Sequence, residues 1–335
     1  MKNVSRAFVS ISIFFAAIFY FVRKESADHE ISPNISVRKK LFIVHQFCAA
    51  NPWAPSVDRG LREEVSEFGL EIKSIYCEDH KNDSSIIESL LDSFQPDAIV
   101  IDDDTMADLV GEKIVQKGYN VFFSNSYKNP NNISWISNNR ERVTVTLQNP
   151  RIVDAIFVVE ELLSKKLSKI SIIGGDGLST KLLSEVIEKE IQNKRPDVRV
   201  TSHFAKRFLQ WKKYIISASS ADAVIALIPF HLFEEETDDL VNWDTAGQFL
   251  KENLWKPTIG ITSCSGKFSR LMSFSVDPYI VGKQTGSQLR RFFLGEKISN
   301  ISFEKYVSHS LEINRDEIER LKISVPENLV QYIRY

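Results

Sequence analysis

Cysteine is scarce in this sequence, which has only Cys48, Cys77 and Cys264. None of them belongs to a Cys-x-x-Cys pair and their number is odd, so neither a zinc site nor a disulfide framework is indicated. We expect all three to be small buried residues within or beside strands. A bridge between Cys48 and Cys77 in an oxidising compartment is the alternative.

An excess of charge of one sign is also lacking. The 42 Lys and Arg residues nearly balance the 44 Asp and Glu residues, and the formal net charge is -2. The basic residues are scattered along the chain and form no stripe that would follow a phosphate backbone. A nucleic acid is therefore excluded as the partner.

The motifs of common catalytic centres are missing as well. The sequence contains no His-Glu-x-x-His, no calcium-binding loop and no Gly-x-Ser-x-Gly, and its six histidines are well separated. The glycine-rich stretch Gly174–Gly177 lacks the spacing of a nucleotide-binding loop. We therefore predict a protein that is not an enzyme and that uses no cofactor and no metal ion.

One apolar run stands near the N-terminus. Residues Ala7–Val22 carry no charge, and basic residues flank them on both sides. A helix of about sixteen residues is ~24 Å long, slightly short of a ~30 Å hydrocarbon core. Because no small-x-small cleavage site follows, we predict a signal anchor within residues 1–24 and a polar linker over 25–40. A cleaved secretory signal is the alternative. Both interpretations place the remaining chain on the periplasmic or extracellular side of the membrane.

From Leu41 onward, short apolar runs alternate with segments of helical periodicity. Leu41–Phe47, Asp97–Asp103 and Asn120–Ser126 are nearly continuous apolar runs, as in strands buried on both faces of a sheet. Such alternation predicts parallel sheets covered by helices on both faces, and about ten strands are too many for one such sheet. We therefore predict two α/β lobes, each with its own parallel sheet.

Three segments carry motifs that resemble those of one known family. The first is a Pro-Trp pair before a helix with a Gly, the second an Asp-x-x-x-x-Gly helix ending in Leu-Gly-Glu, and the third an Asn followed by Ile-x-Val-Pro-Glu. The residues are Pro52, Trp53 and Gly60; Asp277, Gly282 and Leu294–Glu296; and Asn314, Ile323 and Val325–Glu327. With these motifs, roughly Leu41 to Val330 resembles the ABC transporter substrate-binding protein family, which has the type 1 periplasmic-binding-protein fold.

The resemblance implies two Rossmann-like lobes that are joined by hinge crossings and close on a small solute. Members of the family deliver amino acids or related solutes to ABC transporters. We therefore expect an extracytoplasmic solute-binding protein that works with an ABC transporter permease. The alternative is a membrane-tethered sensory module that signals to a separate membrane kinase or cyclase, because no lipid-carrying Cys follows the apolar run.

The lobe boundaries are placed by analogy with this family and by the positions of extended segments. The expected hinge crossings lie near Thr144–Gln148, Phe274–Asp277 and Phe303–Val307. The resulting division is a first lobe of residues 41–146 plus 275–303 and a second lobe of residues 147–274 plus 304–335.

In parallel α/β sheets, ligands collect beyond the C-terminal ends of the strands and beside helix N-termini. The ligand-binding candidates selected by this rule are Gln46, Trp53, Asp102, Asp103, Thr105, Asn125, Gly175, Asp176, Phe230, His231 and Ser263. Trp53 either stacks on the ligand or packs against the neighbouring helix. The stretch Gly174–Gly177 either donates backbone N–H groups to a ligand carboxylate or makes a tight turn, and the turn is favoured. For His231, an ordinary loop position is favoured over a ligand contact.

The acidic trio Asp102–Asp104 is the most informative of these segments. It begins where a buried strand ends and a helix starts, so we expect Asp104 to cap that helix. Three carboxylates exceed what capping needs. If Asp102 or Asp103 faces the cleft, it favours a ligand with an ammonium group, because such a charge-assisted hydrogen bond is typically worth ~1.5–3 kcal/mol.

Overall fold

The computed structural model describes residues 38–47, 49, 51–77, 84–227, 231–262, 270–306 and 309–334. Residues Lys39–Tyr335 form one compact unit. The predicted signal anchor in residues 1–24 lies outside the described residues, as does the predicted linker except for residues 38–40. Among the helices in the described ranges, none combines the length and the hydropathy that crossing a bilayer requires.

The first sheet contains six strands in the described part of the chain. They are β1 (Lys40–His45), β2 (Glu71–Tyr76), β3 (Ala98–Asp102), β4 (Val121–Ser126), β5 (Val143–Leu147) and β11 (Glu304–Lys305). Their order across the sheet is β11-β5-β4-β3-β1-β2, and every neighbouring pair is parallel. The central strands β1, β3 and β4 are buried almost throughout, which accounts for their continuous apolar sequences.

Helices cover both faces of this sheet. They are α1 (Trp53–Glu64), α2 (Ser84–Phe94), α3 (Asp104–Met106), a π-helical segment (Ala107–Gly111), α4 (Glu112–Gln116), α5 (Ser134–Ser137) and α10 (Pro278–Phe293). Successive side chains of β1 alternate between the two faces, as in any strand. Phe42 and Val44 pack with α2, α3 and α4, whereas Leu41 and Ile43 pack with α1 and α10.

The second sheet has the same construction, with seven strands in the described ranges. They are β6 (Lys169–Gly175), β7 (Arg199–Ala205), β8 (Ala223–Ala226), β9 (Thr258–Thr262), β10 (Met272–Val276), β12 (His309–Asn314) and β13 (Ile333–Arg334). Their order is β13-β12-β10-β9-β8-β6-β7, and β10–β12 is the antiparallel pair among otherwise parallel neighbours. The predicted architecture of two parallel-sheet α/β lobes is confirmed.

Helices also cover both faces of the second sheet. They are α6 (Ile152–Leu163), α7 (Leu178–Lys194), α8 (Phe208–Ser217), α9 (Trp243–Asn253) and α11 (Arg315–Leu321). The core on one face contains residues of α6, α7 and α11, and the core on the other contains residues of α8 and α9. Each lobe therefore has its own hydrophobic core.

The chain crosses between the sheets at three places in the described ranges: after β5, after β10 and after β11. All three crossings lie within the expected hinge segments, one or two residues past the limits given above for the lobes, because the strands continue to pair there. Glu304 and Lys305, which were expected in the second lobe, pair with Thr146 and Leu147 of the first sheet. Likewise, β10 stays in the second sheet as far as Val276.

Helices α1 and α10 cross with their backbones in direct contact. A Cβ atom added to Gly60 would lie 2.0 Å from the carbonyl oxygen of Tyr279, and one added to Gly282 would lie 2.0 Å from that of Val57. Both glycines belong to the motifs that carry the family resemblance. The motifs therefore mark the contact that holds α10 on the first lobe immediately after the second crossing.

Cys77 agrees with the prediction of a small buried residue beside a strand. It directly follows β2 and is a free thiol. Burial raises the pKa of this thiol to about 12, so it stays protonated and unreactive near neutral pH. Cys48 and Cys264 lie outside the described residues.

Candidate functional site

The carboxyl ends of strands from both sheets border a cleft, in which the space of about 500 Å³ between protein atoms includes open solvent. The first lobe lines it with Phe47, Trp53, Asp103, Asn125 and Tyr127. The second lobe lines it with Ser179, Thr180, Leu183, Leu227 and Ile261. Because most of these side chains are apolar or aromatic, the cleft suits a small molecule with an apolar body and few polar groups.

Two lining residues have backbone conformations that residues other than glycine rarely adopt. The φ angle of Asp103 is 89° and that of Asn125 is 64°. The register of β4 against β5 also shifts between Phe123 and Ser126, so the strand is irregular where Asn125 lies. Irregular and strained backbone of this kind concentrates at functional sites, where it redirects side chains. Here both side chains reach the cleft lining.

Asp102 is not part of that lining. Its Oδ2 atom lies 3.0 Å from Nδ1 of His45, and the His45 ring stacks on Tyr76. Both members of the Asp–His pair are almost fully buried. The pair therefore joins the carboxyl ends of β1 and β3.

The other two aspartates of the trio have different structural roles: one caps a helix and the other ties that helix to a strand. The Asp103 carboxylate accepts a hydrogen bond from the backbone N–H of Thr105 at 2.8 Å and caps α3. Asp104 accepts a hydrogen bond from the backbone N–H of Tyr127 at 2.8 Å and so ties α3 to the end of β4. The predicted cap at Asp104 is therefore wrong, because the left-handed backbone of Asp103 places that residue at the N-cap position.

Asp103 is a buried acid that lines the cleft. Burial, followed by repulsion from the Asp104 carboxylate, raises its pKa from 3.8 to about 7, against hydrogen bonds from Thr105 and Ser179 that lower it. A cation in the cleft would favour the ionised carboxylate. The neighbouring Tyr127 stays a neutral phenol, since burial and then the charge of Asp103 raise its pKa. Asp103 is therefore suited to hold a cationic group at neutral pH.

Two further polar atoms of the lining are buried without a hydrogen-bond partner in the described part of the chain. They are Nε1 of Trp53 and Oδ1 of Asn125. Their residues are 5% and 3% exposed, so bulk water does not readily satisfy them. An unpaired buried polar atom lowers the stability of a folded protein by about 1–3 kcal/mol. Each of these two atoms therefore favours a bound molecule that completes its hydrogen bonding.

The Trp53 ring also packs against the segments that link the lobes. It shares a hydrophobic cluster with Val276, at the end of β10, and with Tyr306, directly after β11. The Tyr306 hydroxyl in turn accepts a hydrogen bond from the backbone N–H of Asp277 at 3.0 Å. Trp53 thus lines the cleft and also packs against the segments that link the lobes, and its stacking on a ligand stays a prediction.

Ser179 connects the second lobe to the first across the cleft. Its Oγ atom lies 2.7 Å and 2.9 Å from the two carboxylate oxygens of Asp103. It also lies 3.1 Å from Oγ1 of Thr105. Ser179 lies in the first turn of α7, so these contacts tie the start of that helix to the acidic trio.

Gly174 and Gly175 end β6, and Asp176 and Gly177 form the tight turn into α7, so the stretch makes the turn that the sequence favours. A Cβ atom added to Gly177 would lie 2.7 Å from Nδ1 of His231, so a larger residue would collide there. Asp176 forms an ion pair with Lys181, and its side chain is 38% exposed. The turn therefore positions α7 while the Asp176 carboxylate is engaged outside the cleft lining.

The structure brings part of the predicted set together. Trp53, Asp103 and Asn125 line the cleft, and Thr105 takes part in the contact with Ser179. The predicted residues that are described but do not belong to the lining are Gln46, Asp102, Gly175, Asp176 and His231. Phe230 and Ser263 lie outside the described residues.

The apolar lining of the second lobe is what sequence reasoning missed. Leu227 directly follows β8 and Ile261 lies near the end of β9. Both positions therefore agree with the rule that ligands collect beyond the C-terminal ends of strands. An apolar residue at the end of a buried run, however, is indistinguishable from core by periodicity alone. Leu183 lies four residues after Ser179 on α7, so both lie on the same face of the helix. This spacing is the sequence signal from which Leu183 could have been predicted as a lining residue.

No metal centre is evident among the described residues, which contain no group of three or more His, Cys, Asp or Glu side chains arranged to hold an ion.

No protein-family model and no curated protein sequence matches the chain. Solved structures do match it over most of its length.

A conserved domain protein from Vibrio cholerae superposes with a TM-score of 0.66 at 15% identity, covering 88% of this chain and 98% of that one. An ABC domain from Streptococcus pneumoniae, in complex with L-Trp, superposes with a TM-score of 0.65 at 12% identity, covering 89% and 100%. A substrate-binding protein with adhesive properties from Clostridium difficile, in a ligand-free open structure, has a TM-score of 0.62 at 16% identity, covering 89% and 98%.

The chain has the type 1 periplasmic-binding-protein fold. The predicted fold and its resemblance to ABC substrate-binding proteins are thereby confirmed at the level of structure. LacI-family transcriptional regulators share this fold with the chain at lower TM-scores. The periplasmic-binding-protein fold thus serves proteins of more than one function, so the function of this chain has to be argued from its cleft.

Proposed function

We propose that this protein is an extracytoplasmic solute-binding protein that closes on an amino acid or related solute and presents it to an ABC transporter. One observation carries the proposal. Between the two lobes lies an apolar cleft into which the first lobe directs a buried acid, Asp103, and two unpartnered polar atoms, on Trp53 and Asn125. The uncharged run Ala7–Val22 supports a location outside the cytoplasm, anchored to the inner membrane.

The polar groups of the first lobe fit the two charged ends of an amino acid. An ammonium group has several N–H donors, which the Asp103 carboxylate and Oδ1 of Asn125 would accept together. The indole N–H of Trp53 would donate to a carboxylate oxygen. Each charge-assisted bond is worth about 1.5–3 kcal/mol, enough to orient a small ligand in the cleft.

The apolar groups of the second lobe fit the ligand's side chain. Leu183, Leu227 and Ile261 present aliphatic surface to the cleft. The pneumococcal neighbour is in complex with L-Trp, a ligand of this kind. Burying such a side chain between the lobes stabilises the closed form by about 25 cal/mol per Å² of apolar surface removed from water. The partner would then recognise the closed form, a hinge closure driven by ligand binding.

A thermal-shift screen with the twenty amino acids and simple amines tests this function. A ligand that binds the folded chain alone adds ~4 kcal/mol of unfolding free energy at a thousand times its Kd. We expect at least one amino acid with a large apolar side chain to raise the melting temperature by about 5 °C or more. A panel in which no amino acid or amine changes the melting temperature would contradict the proposal.

Replacing Trp53 with Phe tests its proposed hydrogen bond to the ligand. The substitution keeps an aromatic ring in the cleft but removes the indole N–H, so the Kd for the amino acid should rise by about tenfold. The control is Trp255→Phe, because Trp255 is exposed and lies outside the cleft lining. Isothermal titration calorimetry measures both values. An unchanged Kd in Trp53→Phe would show that the indole N–H does not contact the ligand.

A second candidate function is a tethered sensor whose closure signals to a separate membrane kinase or cyclase. It is favoured by the basic pair Arg23–Lys24 directly after the apolar run, where a lipoprotein would carry a Cys. Crosslinking the loaded protein in its own membranes separates the two candidates. Capture of a permease supports transport, and capture of a kinase or cyclase supports sensing.

A further inference from the structure

Tyr306 lies on the third segment that crosses between the lobes. It directly follows β11 and is fully buried. Its hydrophobic cluster contains Phe47 and Trp53, two aromatic side chains of the cleft lining. Tyr306 itself is not among the described lining residues. It therefore belongs to the layer behind the side chains that a ligand in the cleft would contact.

Hydrogen bonds join Tyr306 to the other two crossings. Its backbone N–H donates to the carbonyl oxygen of Leu147 at 2.7 Å, where the chain leaves β5. Its hydroxyl oxygen accepts a hydrogen bond from the backbone N–H of Asp277 at 3.0 Å, where the chain leaves β10. The main chain and the far end of the side chain are thus both fixed. The three segments that connect the lobes meet at this one residue.

His309 of the second sheet supports the same ring. The two rings meet edge to face, with centroids 5.2 Å apart and an angle of 77° between their planes. His309 also stacks on Phe274, and its Nε2 atom lies 2.6 Å from the carbonyl oxygen of Asn149. Edge-to-face and stacked aromatic pairs contribute about 0.5–1.5 kcal/mol beyond the burial of their surface. Tyr306 therefore has fixed neighbours in both lobes.

The Trp53 ring depends on its neighbours for its orientation. The backbone N–H of Trp53 donates to Oδ1 of Asn51 at 2.9 Å, which fixes the main chain. In the described part of the chain its indole N–H has no hydrogen-bond partner, so packing alone orients the ring. A hydrogen bond weakens steeply when the angle at the hydrogen falls below about 120°. The orientation of the ring therefore decides whether the indole N–H can bond to a molecule in the cleft.

We propose that Tyr306 is a positioning residue for ligand binding. Its ring, fixed by the three crossings, holds the Trp53 indole in the orientation in which the indole N–H serves the cleft. As a statement about ligand affinity, this inference rests on the proposed function. The orientation of Trp53, however, is a property of the protein without ligand and can be tested by itself.

Fluorine NMR of the full-length chain labelled with 5-fluorotryptophan measures the surroundings of each indole. The sequence has five Trp residues, and Trp53→Phe identifies the resonance of Trp53. Tyr306→Leu removes the ring and the hydroxyl, so the Trp53 resonance should shift. The other four resonances should stay in place, because three of these residues pack with other clusters and one is exposed: Trp135, Trp211, Trp243 and Trp255.

Two conservative variants separate positioning from a general loss of packing. Tyr306→Phe keeps the ring but removes the acceptor for the Asp277 N–H, so the Trp53 resonance should shift in the same direction by a smaller amount. This variant also carries the test if Tyr306→Leu does not fold. Tyr279→Phe is the matched control, because the Tyr279 hydroxyl donates to Glu63 at the surface, and the Trp53 resonance should not move.

Isothermal titration calorimetry with L-tryptophan tests the consequence for binding. If Tyr306 acts through Trp53, Tyr306→Leu should raise the Kd about tenfold in the wild-type background and less than about twofold in the Trp53→Phe background. A side chain that only stabilises the fold would raise the Kd by the same factor in both backgrounds, since the free energies of independent effects add.

A Trp53 resonance that stays in place in both Tyr306 variants would overturn the inference. A Kd that rises by the same factor with and without the Trp53 indole would do so too. Both results leave the proposed function standing, because the wild type still binds its ligand. Conversely, an amino-acid panel without any ligand contradicts the proposed function, while the Trp53 resonance still decides whether Tyr306 positions the indole.

Discussion

Gly282→Ala is expected to lower the free energy of unfolding by about 3 kcal/mol, although helix propensity by itself predicts a gain. Alanine in place of glycine inside an exposed helix would stabilise it by about 1 kcal/mol. At this position, however, the new Cβ atom would lie 2.0 Å from the carbonyl oxygen of Val57. That oxygen belongs to the backbone of α1, so the whole helix has to move, and overpacking of this kind is destabilising.

Urea denaturation followed by circular dichroism measures the change for Gly282→Ala. Ser287→Ala is the matched control, because Ser287 is exposed on the same helix and its replacement adds no volume at the contact. We expect the control to change the free energy of unfolding by less than about 0.5 kcal/mol. If Gly282→Ala is as stable as the control or more stable, the close approach of α1 and α10 is refuted.

Asp103→Asn is expected to weaken amino-acid binding and to stabilise the folded protein at alkaline pH. The amide cannot supply the negative charge that an ammonium group prefers, so the Kd at pH 8 should rise by about tenfold or more. The raised pKa of Asp103 means that its contribution to folding is present at low pH and is lost as the pH rises through about 7. At pH 8 the ionised form costs up to about 4 kcal/mol, which the variant avoids.

Melting temperatures of the two proteins should therefore diverge between pH 5 and pH 8, with Asp103→Asn the more stable at pH 8. Asp176→Asn is the control, because this aspartate is 38% exposed and pairs with Lys181 outside the cleft lining. If Asp103→Asn melts below the wild type at pH 8, Asp103 is not a strained buried acid.

Such opposite effects of one substitution on binding and stability are typical of functional sites. Asp103 and Asn125 both adopt left-handed backbone conformations, and both are buried polar residues among apolar ones. A chain selected for stability alone would not keep this combination, because strain and buried polar atoms each destabilise the fold. We therefore expect the first-lobe side of the cleft to be a place where function outweighs folding.

The sequence by itself determined the class of fold and the region of the site. Runs such as Leu41–Phe47 are typical of strands buried on both faces, and their alternation with segments of helical periodicity indicates parallel sheets covered by helices. The family motifs singled out Gly60 and Gly282, and the structure shows the reason, since a residue without Cβ is needed where the backbones of α1 and α10 meet. The strand-end rule likewise selected Trp53, Asp103 and Asn125, because parallel strands all end at the same edge of their sheet.

Only the tertiary structure decided which polar groups meet and what they face. Asp103, and not Asp104, caps the helix because the φ angle of Asp103 is positive. Three aspartates in a row do not indicate in the sequence which of them adopts this angle. The pairing of Asp103 with Ser179 depends on how two separate cores are placed relative to each other. Leu227 and Ile261 have the sequence signature of core residues, and they line a cleft because the opposite lobe does not fill the space beside them. The periodicity of a sequence indicates which side chains are buried. Which other side chain or ligand each buried side chain contacts is set by how distant parts of the chain pack together.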